Sequence, residues 1–359
     1  MLRRMRPLHV HLAWPGAPLA LASAALFGAS TPFAKLLIGR IDPWMLAGLL
    51  YAASGAGLLA LALLRRGLGT PSGEAPLRRA DLPWLAGVIL FGGVAGPVLL
   101  MFGLAATTAS AASLLLNLEG LATMAIAWLV FRENVDRRIL AGALAILAGA
   151  IVLSWTGGAL GFGWGALAIA GACLAWGIDN NLTRKLSSAD PVQIATIKGL
   201  AAGAINLAIA VGIGATLPGA GAIGAGAVVG FLGYGVSIAL FVLALRHLGT
   251  ARTAAYFSTA PFIGAALALA LFGEPVTWQL AAAGVFMGIG VWLHLAERHA
   301  HEHVHEPMEH EHRHVHDAHH RHAHVPGDPP GVPHTHRHRH ERLVHAHAHY
   351  PDLHHRHTH

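Results

Sequence analysis

Residues 103–133 read GLAATTASAASLLLNLEGLATMAIAWLVFRE, and residues 244–274 read ALRHLGTARTAAYFSTAPFIGAALALALFGE. The two stretches align without a gap at an offset of 141, so that Ala105–Ala112 faces Arg246–Thr253 and Glu133 faces Glu274. Each is a long apolar run that closes on an acidic residue. A second set of landmarks agrees: Phe27-Gly28, Lys35 and Asp42-Pro43 match Trp176-Gly177, Arg184 and Asp190-Pro191, with one residue of slippage. Paired acidic and Asp-Pro landmarks are not matches of low complexity, so the chain reads as two related units.

A helix needs roughly 20 apolar residues to cross a bilayer. Such runs recur at about 17–39, 44–64, 83–105, 108–131, 138–155, 162–183, 191–214, 223–246, 252–272 and 277–296. Lipid offers backbone groups no water partner, so these runs are expected to be helices. Ala and Gly fill many of them, as in AGALAILAGA at 141–150, and small residues let helix backbones approach closely. Ten spans make five per unit. An odd number inverts the second copy in the membrane, the plan of many secondary transporters, whose binding sites lie near the midplane between the repeats.

Charge sets the expected orientation. With the N-terminus inside, the inner segments hold 14 Lys and Arg, from Arg3, Arg4 and Arg6 through Arg246 and Arg252. The outer loops hold only Arg40, with Lys35 near the outer end of the first helix, where it is expected to snorkel to the surface. The basic start MLRRMR resembles a signal peptide. The run from Pro18 to Ile38 is longer than a usual signal core and more spans follow, so it reads as an uncleaved first helix. Multiple spans with both termini in the cytoplasm point to the inner (plasma) membrane.

Of the 359 residues, 54% are hydrophobic and 12% charged, about half the charged share of a soluble domain. Residues 297–359 hold 23 of the 27 His and a slightly acidic balance, so the basic excess belongs to the apolar body and no nucleic-acid partner is implied. The one cysteine, Cys173, excludes an intramolecular disulfide framework and Cys-rich metal sites. There is no G-x-x-x-x-G-K-[ST] loop and no plausible nucleophile triad, so the chain is not expected to be an enzyme.

Several stretches together resemble the EamA branch of the drug/metabolite transporter superfamily. They are FGASTPFAKLL in the first helix, TTASAASLL and AWLVFRE in the fourth, ACLAWGIDNNLTRKLS in the sixth and LGTARTAAYFSTAPFIGAALALALFGEP in the ninth. The family pattern has Pro in the fourth and ninth helices. Here the ninth has Pro261, while the equivalent fourth-helix position is Gly120, preceded by Glu119. The resemblance implies an all-α membrane protein with ten transmembrane helices as two EamA repeats. It also implies export or exchange of small metabolites, often with proton coupling. The expected organisation is a cytoplasmic segment 1–16, a first repeat 17–155, a second repeat 162–296 and a disordered His-rich tail 297–359.

Glu119 is the sharpest candidate site. It has roughly 11 residues on either side before the interface, which at 1.5 Å per residue puts it near mid-bilayer. A carboxylate there should face the bundle interior or a wet cleft, as a proton carrier or as a partner in a buried ion pair or interhelical hydrogen bond. Asn117, two residues away, points to another face and suits a helix–helix hydrogen bond. Asp179, Asn180 and Asn181 lie near the inner end of the sixth helix, and Lys198 reaches a similar depth in the seventh. An Asp179–Lys198 pair would neutralise both charges, as a structural clamp or as a gate. Asn180 and Asn181 suit polar cargo or helix capping, and Trp176 and Tyr256 suit cavity lining or packing.

The tail supplies imidazoles in His-x-His spacing, which suits Zn, Ni or Co ions. The candidate ligands are His301, His303, His305, His310, His312, His314, His316, His322, His324, His334, His336, His338, His340, His345, His347 and His349. No cofactor is required. The expected partners are the lipid bilayer, a small-molecule substrate and divalent metal ions, with a homodimer as a candidate assembly. Two alternatives stay open: a divalent transition-metal efflux transporter, and a membrane-anchored metal-buffering protein that transports nothing.

Overall fold

The computed structural model describes residues 16–69, 75–131, 137–155, 163–186, 189–248, 253, 256–295, 300–305, 308–314, 334–340 and 343–348. The body is helical. Its first unit contains α1 (Gly16–Leu37), α2 (Pro43–Gly67), α3 (Arg79–Ala105), α4 (Ala109–Leu115), α5 (Leu118–Phe131) and α6 (Arg137–Ser154). Its second contains α7 (Trp164–Thr183), α8 (Pro191–Gly212), α9 (220–248), α10 (Ala260–Phe272) and α11 (Trp278–Leu295). Among the described residues, seven helices are long and apolar enough to cross a membrane, with α4 and α5 counted as one span. The remaining helices of the expected ten are α7, whose C-terminal end carries Asp179-Asn180-Asn181, and the shorter apolar helices α10 and α11.

Local chemistry explains several boundaries. Asp42 and Asp190 cap α2 and α8, each accepting two backbone N–H groups at 2.8–3.3 Å, with Pro43 and Pro191 in the first turn. An Asp cap followed by Pro satisfies N–H groups that a helix start leaves orphaned.

Equivalent helices of the two units run in opposite directions. Along α2, Gly48, Ala52 and Gly55 meet Leu207, Gly203 and Gly199 of α8, an antiparallel order with backbone against backbone. The α6–α11 pair is also antiparallel, with Gly142 against Gly290 and Gly149 against Ala283. The cross-unit contacts repeat as well. Gly28 of α1 lies against Ala260 and Gly264 of α10, and its counterpart Gly177 of α7 lies against Ala122 and Thr123 of α5.

The fourth and ninth spans differ from expectation. The run 108–131 is not one helix: it breaks at Leu116-Asn117. Asn117 Nδ2 bonds the Leu114 carbonyl at 2.9 Å, and tightened i→i+3 bonds run from Leu116 to Ser113 and from Glu119 to Leu116. A side-chain amide competing with the backbone ladder breaks a helix in this way. In the ninth span, Tyr256 and Phe257 are helical, Ser258 and Thr259 form a turn, and α10 starts at Ala260 with Pro261 in its first turn. At the offset of 141 the two breaks coincide. Asn117 makes one, and Pro261, which has no N–H, makes the other. A second irregularity is shared. Val88–Ala95 in α3 and Phe231–Val236 in α9 are π-helical and end at equivalent residues.

The described residues of the tail include four strands. β1 (Ala300–His305) pairs antiparallel with β4 (Leu343–Ala348), and β2 (Met308–His314) with β3 (His334–His340). The reason is legible afterwards: His-x-His alternation has the period of a strand. Of the candidate metal ligands, His316, His322, His324 and His349 lie outside the described residues.

Candidate functional site

The polar centre of the body is built from both units. α7 presents Trp176, Asp179, Asn180 and Asn181, of which Trp176, Asp179 and Asn181 are buried. Lys198 of α8 ion-pairs with Asp179 Oδ2, and Thr183 Oγ1 donates to Asp179 Oδ1 at 3.2 Å. The pair is largely shielded, with 17% of the Lys198 side chain and 7% of that of Asp179 exposed. In such surroundings a charge is tolerated only with its partner.

The first unit closes over this pair at the π-helical turn of α3. A Cβ at Gly92 would collide with the Asp179 carboxylate and with Lys198 Nζ, so any larger residue must displace the pair. The wide turn also leaves carbonyls free for side chains. Gly92 O accepts from Tyr51 OH at 2.7 Å and from Trp176 Nε1 at 3.1 Å, and Gly93 O accepts from Asn206 Nδ2 at 3.0 Å.

Glu119 is the eleventh residue of the 23-residue span Ala109–Phe131 and stands in the first turn of α5, just after the break. The N-terminal end of a helix favours a carboxylate. The side chain is half-buried and turned to α7: Asn180 Nδ2 donates to Glu119 Oε1 at 3.0 Å and to Thr123 Oγ1 at 3.1 Å. Thr123 Oγ1 in turn donates to the Glu119 carbonyl at 2.9 Å. Asn180, which holds Glu119, directly follows Asp179 in α7, so the carboxyl of the first unit and the Asp179–Lys198 pair are joined through adjacent residues of one helix.

Asn181 Nδ2 bonds the carbonyls of Thr123 and Gly177, at 3.0 and 2.8 Å, and its Oδ1 has no partner among the described residues. Asn117 is buried and reaches Met287 Sδ of α11 at 3.8 Å, apart from the centre. Tyr256 is half-buried, and its carbonyl accepts from Thr259 Oγ1 at 2.6 Å. Its neighbour Phe257 joins a row of rings through Phe27 and Tyr234 to Tyr51, with centroids 5.3–5.9 Å apart.

Sequence reasoning did not single out Tyr51, Gly92, Thr123 or Tyr234. Gly92-Gly93 in the middle of an apolar span was the available signal, because paired glycines mark a close approach. The junction of α3 and α4 also holds a surprise. Lys35 Nζ bonds the Leu104 and Thr107 carbonyls, the latter at 2.8 Å, capping α3 instead of reaching for the surface. Glu274 accepts from the N–H groups of Ala109 and Ser110 at 2.8 and 3.0 Å, which ties the second unit to the start of α4. Among the described residues of the helical body, no group of three or more His, Cys, Asp or Glu is placed to hold a metal ion.

The model of the EamA-like transporter family matches residues 14–155 and again residues 163–296. The chain belongs to the EamA-like transporter family. Among curated proteins, this EamA-like chain is 27% identical over 293 residues to an uncharacterized transporter of Methanothermobacter thermautotrophicus, covering 76% of the chain and 84% of the relative. A crystal structure 22% identical to it superposes with a TM-score of 0.57, over 77% of this chain and 94% of the other, and so shares the fold.

Proposed function

We propose that this EamA-like protein is an inner-membrane secondary transporter. It exports or exchanges a small metabolite or drug-like solute by alternating access, coupled to protons through Glu119. In this reading ten helices span the bilayer as two inverted repeats, 17–155 and 162–296, and both termini are cytoplasmic. The observation that carries the reading is the hydrogen bond from Asn180 to Glu119. It joins a mid-span carboxyl of one unit to the polar strip of the other, beside the Asp179–Lys198 pair. With Lys198 and Asp179 cancelling, the charge of the centre depends on whether Glu119 carries a proton. A centre that is neutral when protonated and anionic when not has two states that a rocking pair of repeats can distinguish. Polar solutes would be held by Asn180 and Asn181, with Trp176 and Tyr51 closing the site. The His-rich tail binds divalent metal and is regulatory.

The test is proton flux in proteoliposomes loaded with a pH-sensitive dye and challenged with a panel of small metabolites and drug-like amines. Flux driven by at least one solute is expected, and Glu119→Gln should lose it while the purified variant stays monodisperse. Undiminished solute-driven flux in that variant rejects the assignment.

A further inference from the structure

The symmetry that relates the repeats also relates two halves of the centre, and the halves differ in chemistry. A Cβ at Gly92, in the π turn of α3, would meet the Asp179 carboxylate. At the offset of 141 its counterpart is Gly233, in the π turn of α9, where a Cβ would meet the Ser30 side chain of α1. Ser30 follows Phe27 as Asp179 follows Trp176, so one contact is made once in each unit. The charges are not repeated. Where one half has Asp179, Lys198 and Glu119, the other has Ser30, Leu50 and Ala260.

Rings stand in the second half instead. Tyr234 is the counterpart of Gly93, Phe257 of Leu116 and Phe241 of Leu100. They pack as a row. Centroids are 4.9 Å apart from Phe241 to Phe257, 5.3 Å from Phe257 to Phe27, 5.9 Å from Phe27 to Tyr234 and 5.4 Å from Tyr234 to Tyr51. The row ends at the ionic half, because Tyr51 OH donates to Gly92 O. A solute held between two inverted repeats meets both halves.

The spare hydrogen-bonding capacity of the ionic half is that of acceptors. Trp176 Nε1 and Tyr51 OH both donate to Gly92 O, and Lys198 is paired with Asp179. Among the described residues, only Asn180 donates to the Glu119 carboxyl, and the buried Asn181 Oδ1 receives no bond. With Asp179 and Lys198 cancelling, the charge left over is that of Glu119. Such a half suits a cation with hydrogens to donate, and the faces of the rings suit a flat apolar body.

We propose that the solute is an organic cation with N–H donors and an aromatic body, a protonated amine or guanidine. Its cationic head lies at Glu119 and Asn181, and its ring lies along Phe27, Tyr234 and Phe257. This rests on transport coupled through Glu119 and adds the class of the solute.

The experiment uses the full chain in proteoliposomes loaded with a pH-sensitive dye and compares benzylguanidine, butylguanidine and benzenesulfonate. All three stay charged at neutral pH, so none carries protons across the bilayer unaided. Benzylguanidine should drive proton flux with a half-saturating concentration about fivefold below that of butylguanidine, the scale of one or two ring contacts. Benzenesulfonate should drive none. Phe257→Leu should raise the half-saturating concentration of benzylguanidine about two- to tenfold more than that of butylguanidine, and so should Phe27→Leu. Equal half-saturation of the two guanidines by the unaltered chain, or equal losses for both in the two variants, would overturn the aromatic half. Flux with benzenesulfonate would overturn the cationic head. Flux with other solutes but with neither guanidine would overturn this inference and leave coupled transport standing, whereas flux with no solute at all would overturn both.

Discussion

Asn180 donates from Nδ2 to Glu119 Oε1 at 3.0 Å, across the boundary between the two repeat units. The same amide nitrogen reaches Thr123 Oγ1, so one asparagine organises the only carboxyl on the described part of α5. A hydrogen bond to a charged group contributes about 1.5–3 kcal/mol. Asn180→Ala is therefore expected to lower the unfolding temperature in detergent and to slow solute-driven proton flux. Asn180→Gln, which keeps the amide, should retain more of both. Equal losses in the two variants would mean that the amide itself is irrelevant.

Lys198 and Asp179 should behave as a unit. Removing one partner of a shielded pair leaves a lone charge, at a cost of about 3–5 kcal/mol. Lys198→Met and Asp179→Asn are each expected to destabilise strongly, and the double variant less than either. Thermal unfolding of the three variants measures this. Additive losses would show that the two charges are independently solvated.

Gly92→Ala places a methyl group against the Asp179 carboxylate and Lys198 Nζ. Overpacking of this kind costs about 1–3 kcal/mol, and transport is expected to fall with it. Gly120 is the control: a Cβ there meets nothing within 4 Å. Alanine favours a helix over glycine by about 1 kcal/mol, so Gly120→Ala should leave stability unchanged or raised. Paired melting curves decide between the two sites.

Glu274 holds the first N–H groups of α4 from the far side of the unit boundary, and Ser113 of α4 packs against Gly264 of α10. Glu274→Ala is expected to loosen this contact by about 0.5–2 kcal/mol, the cost of a lost helix cap. In a Cys173→Ala background, purified Ser113→Cys should then react faster with a water-soluble thiol reagent. An unchanged labelling rate would show that the contact does not hold this end of the bundle shut.

Deleting residues 297–359 is expected to abolish most Ni binding and to leave transport of an organic solute in proteoliposomes. Loss of zinc or nickel tolerance in cells, with no organic solute found, would favour the metal-efflux alternative.

The helical membrane class, the two units and their opposed directions were legible in the chain itself. Span length and the offset of 141 are properties of one-dimensional order, and lipid leaves an apolar span little choice but a helix. Glu119, Asp179 and Lys198 stood out for the same reason, since a charge within an apolar run needs a partner. The partners themselves were settled by packing. Nothing in the primary order shows that the turn of α3 widens at Gly92, that Tyr51 and Trp176 share its carbonyl, or that the fourth and ninth spans break at matching points by different means. Those features arise where helices distant in the chain meet. A hydrogen bond between Asn180 and Glu119, or a carbonyl opened by a π turn, exists only once both helices are docked at a set depth and rotation. A local pattern can say that a polar group must be satisfied. Only the docked bundle says by which atom.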